Sequence, residues 1–169
     1  MADRVFELDL GCVPEAAVSG PLLIQDDQRA FLTFNAMRLR PDGMREHAGT
    51  AVVKLQGCLA TRFGYPNDEA LPGHPLFGQG LAAYGIYEVF ESSWIAQIEE
   101  QNRVAFPNSA RWAAHLRHFA FTFHDSMIEC IAADLALTVS GQSFAQILQS
   151  LTHHFVQDGE HDGGQVPES

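Results

Sequence analysis

Residues 118–139 read HFAFTFHDSMIECIAADLALTV, and this stretch decides the fold. Phe119, Phe121 and Phe123 alternate with His118, Ala120, Thr122 and His124, the period-two pattern of a strand with one greasy face. After Asp125 and Ser126, a second apolar alternation runs from Met127 through Ile131, Leu135, Leu137 and Val139, and Glu129 interrupts it. With Asp125-Ser126 as a two-residue turn, the segment is an antiparallel hairpin. Thr122 then lies opposite Glu129 and His124 opposite Met127. His124 and Glu129 become diagonal neighbours on one face, with Cβ atoms ~7 Å apart or less. Phe119, Phe121, Phe123, Ile128 and Cys130 fill the other face.

Outward from this hairpin, further strand patterns accumulate. Residues 5–10 alternate, with Phe6, Leu8 and Leu10 on one face. Residues 21–25 and 29–40 are apolar runs joined by Gln25-Asp26-Asp27-Gln28, where Asp favours a turn by bonding its own backbone. Residues 49–63 read as one half-buried antiparallel strand, with Ala51, Val53, Leu55, Leu59 and Phe63 on its inner face. Residues 84–91 are rich in Tyr, Ile, Val and Phe and read as another.

Helices interrupt the strands instead of alternating with them. Ser92 or Ser93 caps a short helix through Asn102, and Ser109 a second in which Trp112 and Leu116 are one turn apart. The C-terminal helix carries a capping box, Ser143-Phe-Ala-Gln146, and an apolar stripe of Phe144, Ile147, Leu148, Leu151 and Phe155. The expected fold is a single α+β domain over residues 1–156, an antiparallel-rich sheet of about five to seven strands with helices on one face or end. An acidic, Gly-rich flexible tail follows at residues 157–169.

Charge narrows the partners. Ten Lys+Arg stand against twenty-one Asp+Glu, a formal net charge of −11, and beyond Arg117 there is no Lys or Arg at all. Arg38, Arg40 and Arg45 stand among Asp42 and Glu46, so no cationic cluster forms to displace counterions from a nucleic acid. An anionic membrane surface is disfavoured for the same reason. No apolar window spans a bilayer, and the charged start lacks the apolar core of a secretory signal. Cys12, Cys58 and Cys130 lack the paired spacings of a disulfide or zinc framework and read as buried free thiols in a cytoplasmic protein.

Two segments could carry chemistry. Residues 64–83, GYPNDEALPGHPLFGQGLAA, form a connection of a length that is uncommon in a compact domain without a role. Tyr65, Leu71, Leu76, Phe77 and Leu81 anchor it, and Asn67, Asp68, Glu69 and His74 supply polar groups for substrate binding. In the hairpin, a carboxylate among apolar neighbours loses solvation, which raises its pKa and readies it as a general acid or base. Glu129 is the expected acid or base, with His124 orienting it or sharing its proton and Thr122 beside it. If the loop folds over that face, His74, Asp68 or Glu69 meets His124 and Glu129. Two histidines and a carboxylate (His74, His124, Glu129) also suit a divalent metal, although no HxH or HExxH motif occurs and no cofactor is expected. No phosphate-cradling loop, dinucleotide fingerprint or G-x-S-x-G is present.

The runs PNDEALPGHPL, YEVFESSWI and HFAFTFHDSMIECIA resemble those of small bacterial proteins without an assigned activity, over roughly residues 64–132. The resemblance implies a self-contained unit and transfers no chemistry. The expected function is acid–base chemistry on a small polar molecule. The alternative is a non-catalytic binding module, immunity-type or regulatory, that sets its acidic surface against a basic protein partner.

Overall fold

The computed structural model describes residues 2–27, 29–108 and 112–160, with the backbone alone at residues 154 and 156–160. Among them run ten strands: β1 (Arg4–Glu7), β2 (Val13–Pro14), β3 (Leu22–Gln25), β4 (Arg29–Leu39), β5 (Arg45–Gln56), β6 (Ala60–Gly64), β7 (Ile86–Phe90), β8 (Arg117–Thr122), β9 (Met127–Ala132) and β10 (Asp134–Ser140). Helix α1 (Ser93–Ala105) follows β7, and α2 (Phe144–Glu160) follows β10. No helix among the described residues is long and apolar enough to cross a membrane.

The fold class is the expected α+β, but the strands form two sheets instead of one. The first has the order β1-β7-β8-β9-β6; the second has β10-β5-β4-β2, with β3 also on β4, and all pairings are antiparallel. The stretch read as one strand over residues 49–63 is divided between them. Gly57, at φ 56°, turns the chain out of β5, and β6 joins the other sheet. Leu59 and Phe63 therefore lie exposed, while Ala51, Val53 and Leu55 are fully buried.

The sheets share one core. Ala30, Leu32, Phe34, Ala51, Val53 and Leu55 from the second meet Ile86, Phe119, Phe121, Phe123, Ile128 and Cys130 from the first. The rings of Phe34 and Phe123 lie 5.5 Å apart across the interface. Burial raises the thiol pKa at Cys12, Cys58 and Cys130, Cys58 to about 11, so all three behave as small hydrophobes. In β1 the expected face is reversed: Val5 is buried and Phe6 exposed, its ring edge-on to Phe90 at 5.2 Å.

Each outer face has its own cover. Helix α2 lies on the second sheet through Ile147 and Leu151, and Phe155 meets Phe31 edge-on at 5.5 Å. Its capping box forms as read, with the Ser143 N–H donating to Gln146 Oε1 at 3.0 Å and the Gln146 N–H to Ser143 Oγ at 3.4 Å. The helix continues to Glu160, and residues 161–169 of the expected tail lie outside the described residues. So does the Ser109 cap; the helix expected there is one short 3₁₀ segment, Trp112–His115.

Over the outer face of the first sheet folds the long connection between β6 and β7. Two 3₁₀ turns, Leu71–Gly73 and Phe77–Gln79, bring Leu71, Leu76 and Leu81 onto Val5, Tyr87, Val89, Ala120 and Met127. This second apolar cluster fixes the segment on the sheet through Leu71, Leu76 and Leu81, whereas Tyr65 and Phe77, also expected as anchors, lie exposed.

Candidate functional site

The β8–β9 ladder pairs Thr122 with Met127 and Ala120 with Glu129, and the Phe123 N–H donates to Ser126 O at 2.9 Å. The hairpin turn is therefore His124-Asp125, one residue before the expected Asp125-Ser126, and each cross-strand pairing moves by two. Faces are preserved under a shift of two, so Glu129 still looks outward beneath the long loop. Its histidine partner changes. The diagonal neighbour of Glu129 is His118, while His124 is carried into the turn.

Glu129 is 5% exposed. Its Oε2 lies 3.1 Å from His118 Nε2, and Oε1 lies 3.5 Å from Arg62 Nη1 and 3.8 Å from His74 Nε2. The other side of the His118 ring, Nδ1, lies 2.9 Å from Ser92 Oγ. Arg62 stacks its guanidinium 3.8 Å above Trp94, whose ring meets His118 edge-on at 5.3 Å. Burial by itself raises the Glu129 carboxyl, but the His118 hydrogen bond and the electrostatic pull of His118, His74 and Arg62 outweigh it and hold its pKa below the ordinary value. The expectation of a raised carboxyl is thus reversed: Glu129 is a fixed anion. His74 accepts the Leu76 N–H at Nδ1 (3.3 Å), so the proton of the neutral ring sits on Nε2, facing Glu129. Burial lowers the His74 pKa, against the pull of Glu129.

A second cluster forms at the hairpin turn. Asp68 Oδ2 lies 2.9 Å from His124 Nδ1 and accepts the Tyr84 hydroxyl. Asp68 Oδ1 accepts the Glu69 N–H at 2.8 Å, and the Asp68 N–H donates to the carbonyl of His124 at 2.9 Å, so main chain and side chain both hold the pair. The Tyr84 bond, then the His124 bond, lower the Asp68 pKa; the Asp68 bond raises both His124 and Tyr84. The His124 side chain is 46% exposed. Tyr84 sits at φ 60°, a left-handed conformation uncommon outside glycine that is held where the surroundings over-determine it.

The loop folds over the hairpin face, a placement the sequence left open, and brings His74 to Glu129 and Asp68 to His124, but no hydrogen bond or ion pair among the described residues joins His124 to Glu129. The ligand set His74, His124 and Glu129 does not assemble, and no other group of three His, Cys, Asp or Glu is placed to hold a metal ion among the described residues. The Thr122 hydroxyl donates to Ala82 O at 2.8 Å and accepts the Gly85 N–H at 2.9 Å, closing the loop on the sheet. Asn67 caps the turn before Leu71 by accepting the Ala70 N–H at 3.1 Å. Glu69 is exposed and acts on His124 only through its charge.

No family model, curated protein or solved structure matches the chain.

Sequence reasoning missed His118, Arg62, Ser92, Trp94 and Tyr84 as site residues. His118 had a signal, since it shares the outward parity of Glu129; only the turn register hid the pairing. Arg62 and Trp94 come from elements far apart in the chain, and Tyr84 depends on a left-handed backbone that no local pattern announces. The two clusters divide the chemistry. The buried one holds a charge in place, and the surface one leaves an imidazole nitrogen, His124 Nε2, open to solvent.

Proposed function

We propose that the chain carries out acid–base chemistry on a small polar molecule at the His124–Asp68–Tyr84 cluster. The observation that carries this reading is the 2.9 Å contact between Asp68 Oδ2 and His124 Nδ1 on a half-exposed ring. A carboxylate at Nδ1 holds the proton there and leaves Nε2 as the base, then stabilises the imidazolium that forms. Tyr84 fixes Asp68 from the other side. Asp125 Oδ1 lies 4.0 Å from Nε2, and Glu69 adds a further negative charge. These acids disfavour an anionic substrate and favour a neutral or cationic one that gives up a proton to His124.

The test is a ligand screen of small neutral and cationic metabolites by NMR, read at the His124 imidazole. A ligand that moves the His124 signal in the intact chain and loses its binding in Asp68→Asn supports the reading. Ligands that bind without moving His124, or equally well to His124→Gln, would overturn it. So would affinity only for basic proteins that falls steeply with salt, which is the signature of the acidic binding module.

A further inference from the structure

We propose that Ser92, His118 and Glu129 form a nucleophilic triad for acyl transfer, separate from the His124 cluster, with its substrate site in the cleft beside the start of α1. Ser92 Oγ lies 2.9 Å from His118 Nδ1, and His118 Nε2 lies 3.1 Å from Glu129 Oε2. This is the order nucleophile, base, orienting carboxylate, with the two ring nitrogens used in the opposite sense from the serine-protease arrangement.

The direction of each proton follows from the partners. Glu129 is an acceptor, so the His118 proton sits on Nε2 and Nδ1 is the free base. Ser92 Oγ already accepts the Ile95 N–H at 3.1 Å, so its own hydroxyl proton points at Nδ1. The serine stands where a strand turns sharply into a helix. β7 ends at Phe90, Glu91 takes a left-handed φ of 55°, and α1 begins at Ser93. Nucleophilic serines of hydrolases occupy such strand–turn–helix corners, where the helix N-terminus favours developing negative charge.

The donor that would receive that charge is the N–H of the following residue, Ser93. An anion already sits there: Asp3 Oδ1 lies 2.6 Å from the Ser93 N–H, and Asp3 Oδ2 lies 2.8 Å from the Ser93 hydroxyl. The Asp3 carboxylate stands in for the oxyanion, and the substrate carbonyl displaces it. The adjoining cleft holds about 550 Å³ and is lined by Ser92 together with Val89, Ile95, Leu116, Glu99 and Arg117. Its apolar wall and carboxylates suit an uncharged ester with a small apolar acyl group.

In the reaction, Ser92 Oγ attacks the carbonyl carbon as its proton passes to His118 Nδ1. The ester C–O bond then breaks, and His118 returns the proton to the departing alcohol. Water, deprotonated by the same imidazole, cleaves the acyl-serine to a carboxylic acid and restores Ser92.

The full chain is tested with an alkyl fluorophosphonate. In the expected reaction the Ser92 Oγ–P bond forms, the P–F bond breaks and fluoride leaves, and peptide mass mapping finds one adduct, at Ser92. Ser92→Ala loses the adduct, and Glu129→Gln slows labelling by about 100-fold or more. An absent adduct, equal labelling of other serines, or an unchanged rate in Glu129→Gln would each overturn the triad. Should Glu129→Gln fail to fold, Glu129→Asp replaces it: the shortened carboxylate draws back from His118 Nε2, labelling must slow several-fold, and an unchanged rate overturns the proposal. Asp3→Ala should label several-fold faster than the parent; a rate no faster removes the oxyanion assignment.

Discussion

His118 Nε2 and Glu129 Oε2 lie 3.1 Å apart as diagonal neighbours of β8 and β9, and both side chains are buried. The pair converts an isolated carboxylate, costly in an apolar face, into an anion with its charge satisfied on each oxygen.

Removing that anion is therefore expensive. Glu129→Ala leaves His118 Nε2 without its acceptor and Arg62 without its counter-charge, and should cost about 3–5 kcal/mol. Glu129→Gln keeps an acceptor for His118 and should cost about 1–3 kcal/mol. Urea denaturation measures both, and equal losses would mean that the acceptor Gln keeps for His118 contributes nothing. Because the folded carboxyl pKa lies below the ordinary 4.5, its contribution is present above that pH and is lost as pH falls through the folded value.

At the hairpin turn the sign is opposite for the histidine. Asp68 raises His124 above 6.5, so that contribution is complete below pH 6.5 and is lost as pH rises through the folded value. The Asp68 contribution appears above 3.8 and is lost in acid. The pair is strongest between those two ordinary values. An NMR titration should find the His124 imidazole titrating above 6.5, and Asp68→Asn should bring it down. A wild-type value at or below 6.5 contradicts the contact.

Across the two sheets, Phe34 packs on Phe123 with no exposed surface of its own. Phe34→Ala should cost about 3–5 kcal/mol through lost burial and the cavity left behind. Thermal unfolding should remain a single transition at lower temperature. Two transitions would show that the sheets do not share one core.

Gly80 closes the second 3₁₀ turn at φ 118°, and a Cβ there would meet the Val5 carbonyl oxygen of β1 at 2.8 Å. Gly80→Ala should destabilise by more than about 1 kcal/mol, since both the backbone conformation and the contact oppose it. Hydrogen exchange should speed up across residues 65–85 while the β4–β5 ladder stays protected. Unchanged exchange in the loop would show that it is not held by its approach to β1.

How far these features could be read beforehand depended on the range of the force involved. The hairpin at residues 22–39 formed as read because Asp26 closes it locally: the Asp26 N–H donates to Arg29 O at 2.9 Å, and its carboxylate holds the Arg29 guanidinium at 2.7 Å. The α2 capping box is local in the same way. The division of residues 49–63 between two sheets was illegible, since alternation reports which side is apolar but not which partner strand stands beside it. Leu59 and Phe63 continued the pattern of β5, and only pairing with β9 revealed that they belong elsewhere.

By itself, the sequence determined what period and composition control: antiparallel strands, the two longer helices, the buried thiols, the outward parity of Glu129 and the anchoring of the long loop by its leucines. Tertiary structure decided which polar groups meet. A turn displaced by one residue exchanged His124 for His118 beside Glu129, and the docked loop delivered Asp68 to one histidine and His74 to the carboxylate. The reason is geometric: hydrophobic patterning acts over whole faces and tolerates a shift of two, whereas a hydrogen bond of about 3 Å tolerates none.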